Sequence, residues 1–139
     1  MIILDTNVLS ELVRLPPHEA VRRWTLQQPR TALFTTTVTQ AEMLYGIALL
    51  PEGQRKRQLY ALVQETFNQE FKRKVLSFDE TAAQAYASIA AARRRAGNPI
   101  SQSDAMIAAI AQSRGAALAT RNVRDFVDCG VRVVDPWKF

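Results

Sequence analysis

Three features of this 139-residue sequence predict an α/β fold with a mainly parallel central sheet and helices on both faces. Short apolar or β-branched runs alternate with longer stretches of helical periodicity, the pattern of strands joined by crossover helices. The hydrophobic fraction is 47%, enough at this length for one sizeable core, while the chain is too short for two ordinary domains. No repeat or low-complexity tract interrupts the pattern, and Pro51-Glu52-Gly53 and Gly97-Asn98-Pro99 read as turns between helices. Residues 1–139 are therefore expected to form a single domain.

The first strand is expected at Ile2–Leu4, ended by Asp5. Val8, Leu9, Leu12 and Val13 then recur at helical spacing until Pro16-Pro17 stops them. A second helix is predicted from Pro17 to about Gln27, and a second strand over the β-branched and aromatic segment Ala32–Thr36. From Thr39 to about Leu50, one helical side collects Ala41, Leu44, Tyr45, Ala48 and Leu49. Leu59, Leu62, Val63, Phe67 and Phe71 make the cleanest amphipathic stripe in the chain. Val75–Phe78 is predicted as a strand. Ala82, Ala85, Tyr86, Ile89 and Ala90 mark the next helix, which ends in Arg93-Arg94-Arg95-Ala96-Gly97, because cations in a last turn followed by Gly suit a helix C-terminus. Ser101 is predicted to cap a helix running through Ile110, and Ala116–Ala119 and Val131–Val134 supply the last strands. Trp24, Trp137, Tyr45 and Tyr60 read as core or interface residues.

Composition excludes several function classes. No apolar run approaches the ~20 residues of a membrane helix, and the opening Met-Ile-Ile-Leu meets Asp5 before a signal-peptide core could form, so a cytoplasmic protein is expected. One cysteine, Cys129, cannot close an internal disulfide. One histidine, His18, excludes a His-rich zinc site and weakens any Ser-His-Asp or Cys-His catalyst. The five glycines are scattered and form neither GxGxxG nor a P-loop. Catalysis must then rest on carboxylates, hydroxyls and arginine. The formal charge of +5 comes from 18 Lys and Arg against 13 Asp and Glu. It admits two readings, a polyanionic partner such as nucleic acid or simple solubility.

In parallel sheets, sites gather beyond the carboxyl ends of the strands near the topological switch point. Four acidic residues fall in such places: Asp5 after the first strand, Glu42 a turn into the helix after the second, Asp104 near a helix start, and Asp125 after the fourth. Each also has an ordinary explanation. Asp5 or Asn7 could cap the following helix, Thr39-x-x-Glu42 matches a capping box, Ser101-x-x-Asp104 nearly does, and Asp125 could belong to a turn. Phase favours more than capping. Asp104 shares its helical side with Ile107, Ala108 and Ala111, and Glu42 lies one turn before Gly46, which leaves room beside it. Carboxylates directed at apolar surroundings and at one another are costly, and a divalent cation relieves both penalties. Oxygen ligands without His or Cys select Mg²⁺ or Mn²⁺, which suggests metal-assisted phosphodiester hydrolysis.

The segments Ile3-Leu4-Asp5-Thr6-Asn7-Val8-Leu9, Ala41-Glu42-Met43-Leu44-Tyr45-Gly46, Asp104-Ala105-Met106-Ile107-Ala108-Ala109 and Ala119-Thr120-Arg121-Asn122 with Asp125-Phe126 resemble the PIN-domain ribonucleases, as does the closing Asp135-Pro136-Trp137. The resemblance is strongest to VapC-type toxins of bacterial toxin–antitoxin pairs, the FitB-like branch, and runs in order over essentially the whole chain. It implies a PIN-like three-layer α/β/α sandwich, Mg²⁺- or Mn²⁺-dependent endoribonuclease activity, a homodimer and a paired antitoxin, a small DNA-binding protein whose tail blocks the site. The matching acidic positions are Asp5, Glu42 and Asp104. Many members carry a fourth Asp where this chain has Asn122, so Asp125 is the alternative source of that charge, and Asn122 is left to orient water or substrate. On this reading Asp5 and Asp104 hold the metal, Glu42 completes the charge cluster, and Thr6, Asn7 and Thr120 orient carboxylates and water. Arg93, Arg94, Arg95 and Arg121 are candidates for RNA phosphates, although a cationic last turn also stabilises its own helix. Two rivals stand beside it: a catalytically inactive module of the same fold that binds RNA or a partner, and an aspartyl-phosphate phosphatase, which usually needs a second Asp at position 7, where this chain has Asn.

Overall fold

Every strand of the protein runs parallel to its neighbours. The computed structural model describes residues 1–139. Strand β1 (Ile2–Leu4) sits at the centre, between β2 (Leu33–Thr36) and β4 (Ala117–Ala119), while β3 (Val75–Leu76) and β5 (Val133–Val134) form the edges in the order β3-β2-β1-β4-β5. Ile3 lies opposite Phe34 on one side and Leu118 on the other. The strands are short, so each side chain counts, and their period of two divides the core cleanly. Ile3, Phe34, Leu76, Leu118 and Val133 point to one face, and Leu4, Leu33, Val75, Ala119 and Val134 to the other.

Helices cover both faces. On the first lie α5 (Glu80–Arg95) and α6 (Gln102–Arg114), contributing Ala82, Ile89, Ile107 and Ile110. The second is covered by α1 (Thr6–Leu12), α2 (Glu19–Gln27), α3 (Thr37–Ala48) and α4 (Gln54–Glu65), through Val8, Val21, Trp24, Met43 and Val63. The result is the three-layer α/β/α sandwich that the sequence leads one to expect. The chain builds outward from β1 to β2 and β3, then returns past β1 to add β4 and β5, so the switch point falls at the carboxyl ends of β1 and β4. No helix is long and apolar enough to cross a membrane.

Several elements differ from expectation for identifiable reasons. The third strand pairs only at Val75–Leu76 rather than through Phe78, because Asp79 adopts an extended cap conformation and its carboxylate accepts from Ala82 N–H at 3.0 Å. Helix α3 buries Thr39, Met43 and Ile47, not the side bearing Tyr45 and Leu49, which stay 67% and 68% exposed. Both sides of α3 are apolar, so periodicity alone could not choose between them. Its cap is Thr36, whose Oγ1 accepts from Thr39 N–H at 3.1 Å, so Thr39 stands inside the helix and the expected Thr39–Glu42 capping box does not form. The stripe Val63-Phe67-Phe71 is buried as expected, but its last part runs through one wide helical turn at Thr66–Glu70. Helix α6 begins at its Ser101 cap as predicted and continues four residues further, to Arg114, where Gly115 takes a left-handed φ of 63°.

Candidate active site

Asp5 is the first residue past β1, only 4% exposed, and its position at the switch point follows directly from the strand ending there. It does cap α1, with Oδ1 accepting from Thr6 N–H at 2.8 Å. Capping occupies one oxygen. The other, Oδ2, accepts from the Thr120 hydroxyl at 2.7 Å and from Asn7 Nδ2 at 3.3 Å. Thr120, fully buried just past β4, is fixed in turn: its Oγ1 accepts from Asn122 N–H at 3.1 Å and from Asn7 Nδ2 at 3.2 Å. Asn7 Oδ1 accepts from Arg121 N–H at 3.2 Å, which orients the carboxamide. The ends of β1 and β4 are thus stitched together around a single carboxylate.

Glu42 joins the site from α3 through a hydroxyl relay. Thr6 Oγ1 donates to Glu42 Oε1 at 2.8 Å, and because that uses its only proton, the Thr39 hydroxyl donates to Thr6 at 3.0 Å. A Cβ at Gly46 would meet nothing within 4 Å, so the open space beside Glu42 does not depend on that glycine. Asp104, half-buried in the first turn of α6, lines a hollow of about 530 Å³ together with Ser101, Arg124 and Asp125. Asp125 sits on a one-turn 3-10 helix, Val123–Phe126, anchored by the buried ring of Phe126.

The electrostatics match the burial. Desolvation raises the Asp5 carboxyl to about 6 against the pull of its Thr120 and Thr6 hydrogen bonds, and repulsion from Asp104 and Glu42 adds to the rise. Burial likewise raises Asp104, opposed by Ser101 and reinforced by Asp125 and Glu42. Asp5 and Asp104 thus each feel the charge of neighbouring acids as well as their own burial. No three of them converge closely enough to cage an ion directly. The donor set nevertheless fits a small hard cation, which binds through one or two carboxylates and keeps several waters. Asp5 and Asp104 are the acids whose ionised form the protein itself opposes, and a cation there would remove that opposition.

A raised carboxyl carries a pH consequence. The folded state binds the Asp5 proton more tightly than the unfolded chain, so its stabilising effect is complete below about pH 4 and lost as pH rises through about 6. With metal chelated, this single group is expected to remove about 3 kcal/mol between pH 4 and neutrality. Urea denaturation of the wild type and Asp5→Asn in EDTA across that range checks it. Their stability difference should change with pH, and parallel curves would refute the assignment.

Among the arginines proposed to meet RNA, Arg93 requires correction. It is 4% exposed and turned inward, donating from Nε to Asn98 O at 2.8 Å and from Nη1 to Asp125 O at 2.9 Å and Val127 O at 3.1 Å. Its guanidinium is unavailable to a phosphate because three backbone carbonyls already hold it. Arg94, Arg95 and Arg121 remain exposed. The signal for Arg93 lies in phase, since Ala82, Tyr86, Ile89 and Arg93 recur on one side of α5, and Ala82, Ile89 and Arg93 are buried. Thr39 is the site residue that sequence patterning misses, because its spacing to Glu42 marks it as a cap and nothing local points to Thr6.

The PIN domain family model matches residues 2–129. The plasmid stability protein StbB of Pseudomonas syringae pv. tomato is 41% identical over 138 residues, spanning 99% of both chains. The VapC ribonuclease Y4jK of Sinorhizobium fredii is 34% identical over the same span of both. Among solved structures, a chain of FitAB bound to a DNA fragment superposes with a TM-score of 0.91 at 36% identity, covering 99% of this chain and 96% of that one, and the toxin FitB of Neisseria gonorrhoeae is 35% identical over 137 residues, 99% of both chains. These full-length matches and the parallel sandwich agree with the residues gathered at the switch point, and the chain belongs to the PIN-domain ribonuclease family, in the VapC and FitB group of toxin–antitoxin proteins.

Proposed function

We propose that the whole chain, residues 1–139, acts as one PIN unit: a Mg²⁺- or Mn²⁺-dependent endoribonuclease, the toxin of a toxin–antitoxin pair, working in the bacterial cytoplasm. The observation that carries this reading is Asp5, a carboxylate buried at the switch point, hydrogen-bonded by Thr120, Asn7 and Thr6 and repelled by Asp104 and Glu42. Such a group is costly alone and well suited to a hard cation.

Asp5 and Asp104 would hold the ion, and Glu42 and Asp125 would add negative charge around it. When bound, the ion supplies Lewis-acid neutralisation of the scissile phosphate and lowers the pKa of a coordinated water. The chain's own contribution is placement. Thr120 and Asn7 keep Oδ2 of Asp5 in one orientation, and the Thr39–Thr6 relay keeps Glu42 pointed into the cleft. Asn122 ties the loop after β4 to Thr120 through its backbone N–H, and its exposed carboxamide is free to orient water or substrate. Removing one such orienting group costs about 10- to 100-fold in related chemistry. Thr120→Val is expected to lose cleavage in that range, measured by initial rates at saturating Mn²⁺.

The same reading includes an antitoxin and a second copy of the chain. An apolar groove of about 740 Å³ beside Glu42, lined by Met43, Ile47, Leu59 and Val63, suits an antitoxin segment whose cationic end could reach the acids. The uncovered side of α3, Ala41, Tyr45, Ala48 and Leu49, suits the homodimer. DNA in the FitAB structure supports a DNA-binding antitoxin.

The test is incubation of antitoxin-free protein with structured RNAs in Mg²⁺, Mn²⁺ or EDTA. Cleavage in either ion that stops in EDTA is expected. RNA binding without cleavage in Mn²⁺ would instead identify an inactive binding module, and ester hydrolysis indifferent to EDTA would overturn the metal-dependent reading.

A further inference from the structure

The hollow that holds Asp104 adjoins a second one. Arg124 and Asp125 form their common wall, and on the far side a space of about 440 Å³ is lined by Arg121, Asn122, Arg124, Asp135 and Lys138. The first hollow holds Asp104 and Asp125 with Arg93 and Arg124, whereas the second gathers three cations, Arg121, Arg124 and Lys138, with Asp125 and Asp135. None of the three cations is in an ion pair, whereas Arg14, Arg22, Lys56 and Arg114 all are. The acid nearest the end of the chain in this hollow, Asp135, is occupied in capping Trp137 N–H at 2.9 Å.

Arg121 is also pre-positioned. Its backbone N–H is held by Asn7, one hydrogen bond from Asp5, and its guanidinium lies over the Trp137 ring, 5.1 Å from the centroid. A guanidinium drawn to the face of an aromatic ring by cation–π attraction keeps N–H donors available for phosphate. Neither Arg94 nor Arg95 lines either hollow.

We propose that Arg121, Arg124 and Lys138 form a phosphate subsite that holds the RNA strand beside the scissile bond, with Arg124 at the junction between binding and cutting hollows. This rests on the ribonuclease reading above and adds where the strand lies. An anionic backbone approaching four carboxylates is repelled unless cations flank them, and these three line the hollow next to Asp104 and Asp125 without an ion pair of their own.

The test measures binding of a fluorescein-labelled single-stranded oligoribonucleotide by anisotropy in EDTA, over 50 to 300 mM salt, and cleavage kinetics in Mn²⁺. Arg124→Gln and Lys138→Gln are each expected to weaken binding several-fold. Neutralising a side chain that meets one phosphate should reduce the slope of log affinity on log salt by about 0.7, and KM should rise with little change in kcat. Arg57→Gln with Lys72→Gln removes two exposed cations outside both hollows and should shift affinity less than twofold. Equal weakening in that control, or an unchanged salt slope and KM in the triple variant Arg121→Gln/Arg124→Gln/Lys138→Gln, would overturn the subsite. Wild-type protein that cuts RNA while the triple variant keeps its KM refutes only the subsite; wild type that neither binds nor cuts refutes the ribonuclease reading with it. Loss of antitoxin binding with RNA binding intact would assign the cations to the protein partner and also overturn the proposal.

Discussion

Asp5→Asn is expected to reduce RNA cleavage by about a thousandfold or more while leaving the fold intact. The size follows from what the carboxylate would do. Charge stabilisation by a bound cation is worth several kcal/mol, and each 1.36 kcal/mol is tenfold in rate. Asn keeps the shape and one acceptor, so Thr6 N–H retains a partner. Its amide nitrogen, however, would face a Thr120 Oγ1 that already accepts two N–H donors, from Asn7 and Asn122. That crowding offsets part of the stability gained by removing a buried charge. The combined outcome is diagnostic: an inactive protein whose stability in EDTA at neutral pH is at least close to that of the wild type, and whose Mn²⁺ affinity by calorimetry has collapsed. Full cleavage by Asp5→Asn would sink the metal-centre assignment. A large loss of stability would show that capping, rather than chemistry, is the main role of Asp5.

How far the sequence carries depends on which signals are local. Ile2–Leu4 ending at Asp5, and Ser101 opening α6, are local statements, and both hold. The burial of Ile107, Ala108 and Ala111 beside Asp104 follows from the 3.6-residue period of one helix, which no distant contact overrides. What was not legible depends on partners far along the chain. Thr35, Thr36 and Thr37 offer three successive hydroxyls around the start of α3, and Thr36 becomes the cap because β2 ends there, at its pairing with Leu76. Freed from the expected capping box, Glu42 turns to Thr6, 36 residues away, a contact no spacing rule contains. The strands overshoot in prediction for the same reason: Val131 and Phe78 have strand-like character, but the ladders extend only as far as their neighbours do. Arg93-Arg94-Arg95 reads locally as a cationic helix end, which it is, and only helical phase separates the inward member from the other two.

That inward arginine carries the second large effect, this time on stability. Arg93 lies in the last turn of α5, before a glycine turn in which Asn98 N–H bonds back to Arg93 O at 3.0 Å and Gly97 has a φ of 76°. The side chain then crosses to the loop after β4, where it holds the carbonyls of Asp125 and Val127 and approaches Cys129 Sγ at 3.5 Å. One guanidinium therefore ties the α5–α6 turn to the short helix that presents Asp125. Arg93→Met would remove three charge-assisted hydrogen bonds to part-buried carbonyls, at about 1–3 kcal/mol each. Relief of a buried charge offsets some of this, so the net loss is expected to be about 3 kcal/mol. Arg93→Lys keeps the charge but lacks the planar fork and is expected to recover less than half. Urea unfolding of the three proteins measures the order. Cleavage, assayed where all remain folded, should fall in the same sequence because Asp125 loses its backbone anchor. A methionine variant as stable and as active as the wild type would mean that the arginine does not hold this loop. If the lysine variant restores stability without restoring cleavage, the guanidinium's part in catalysis lies in the geometry of its fork, over and above its charge.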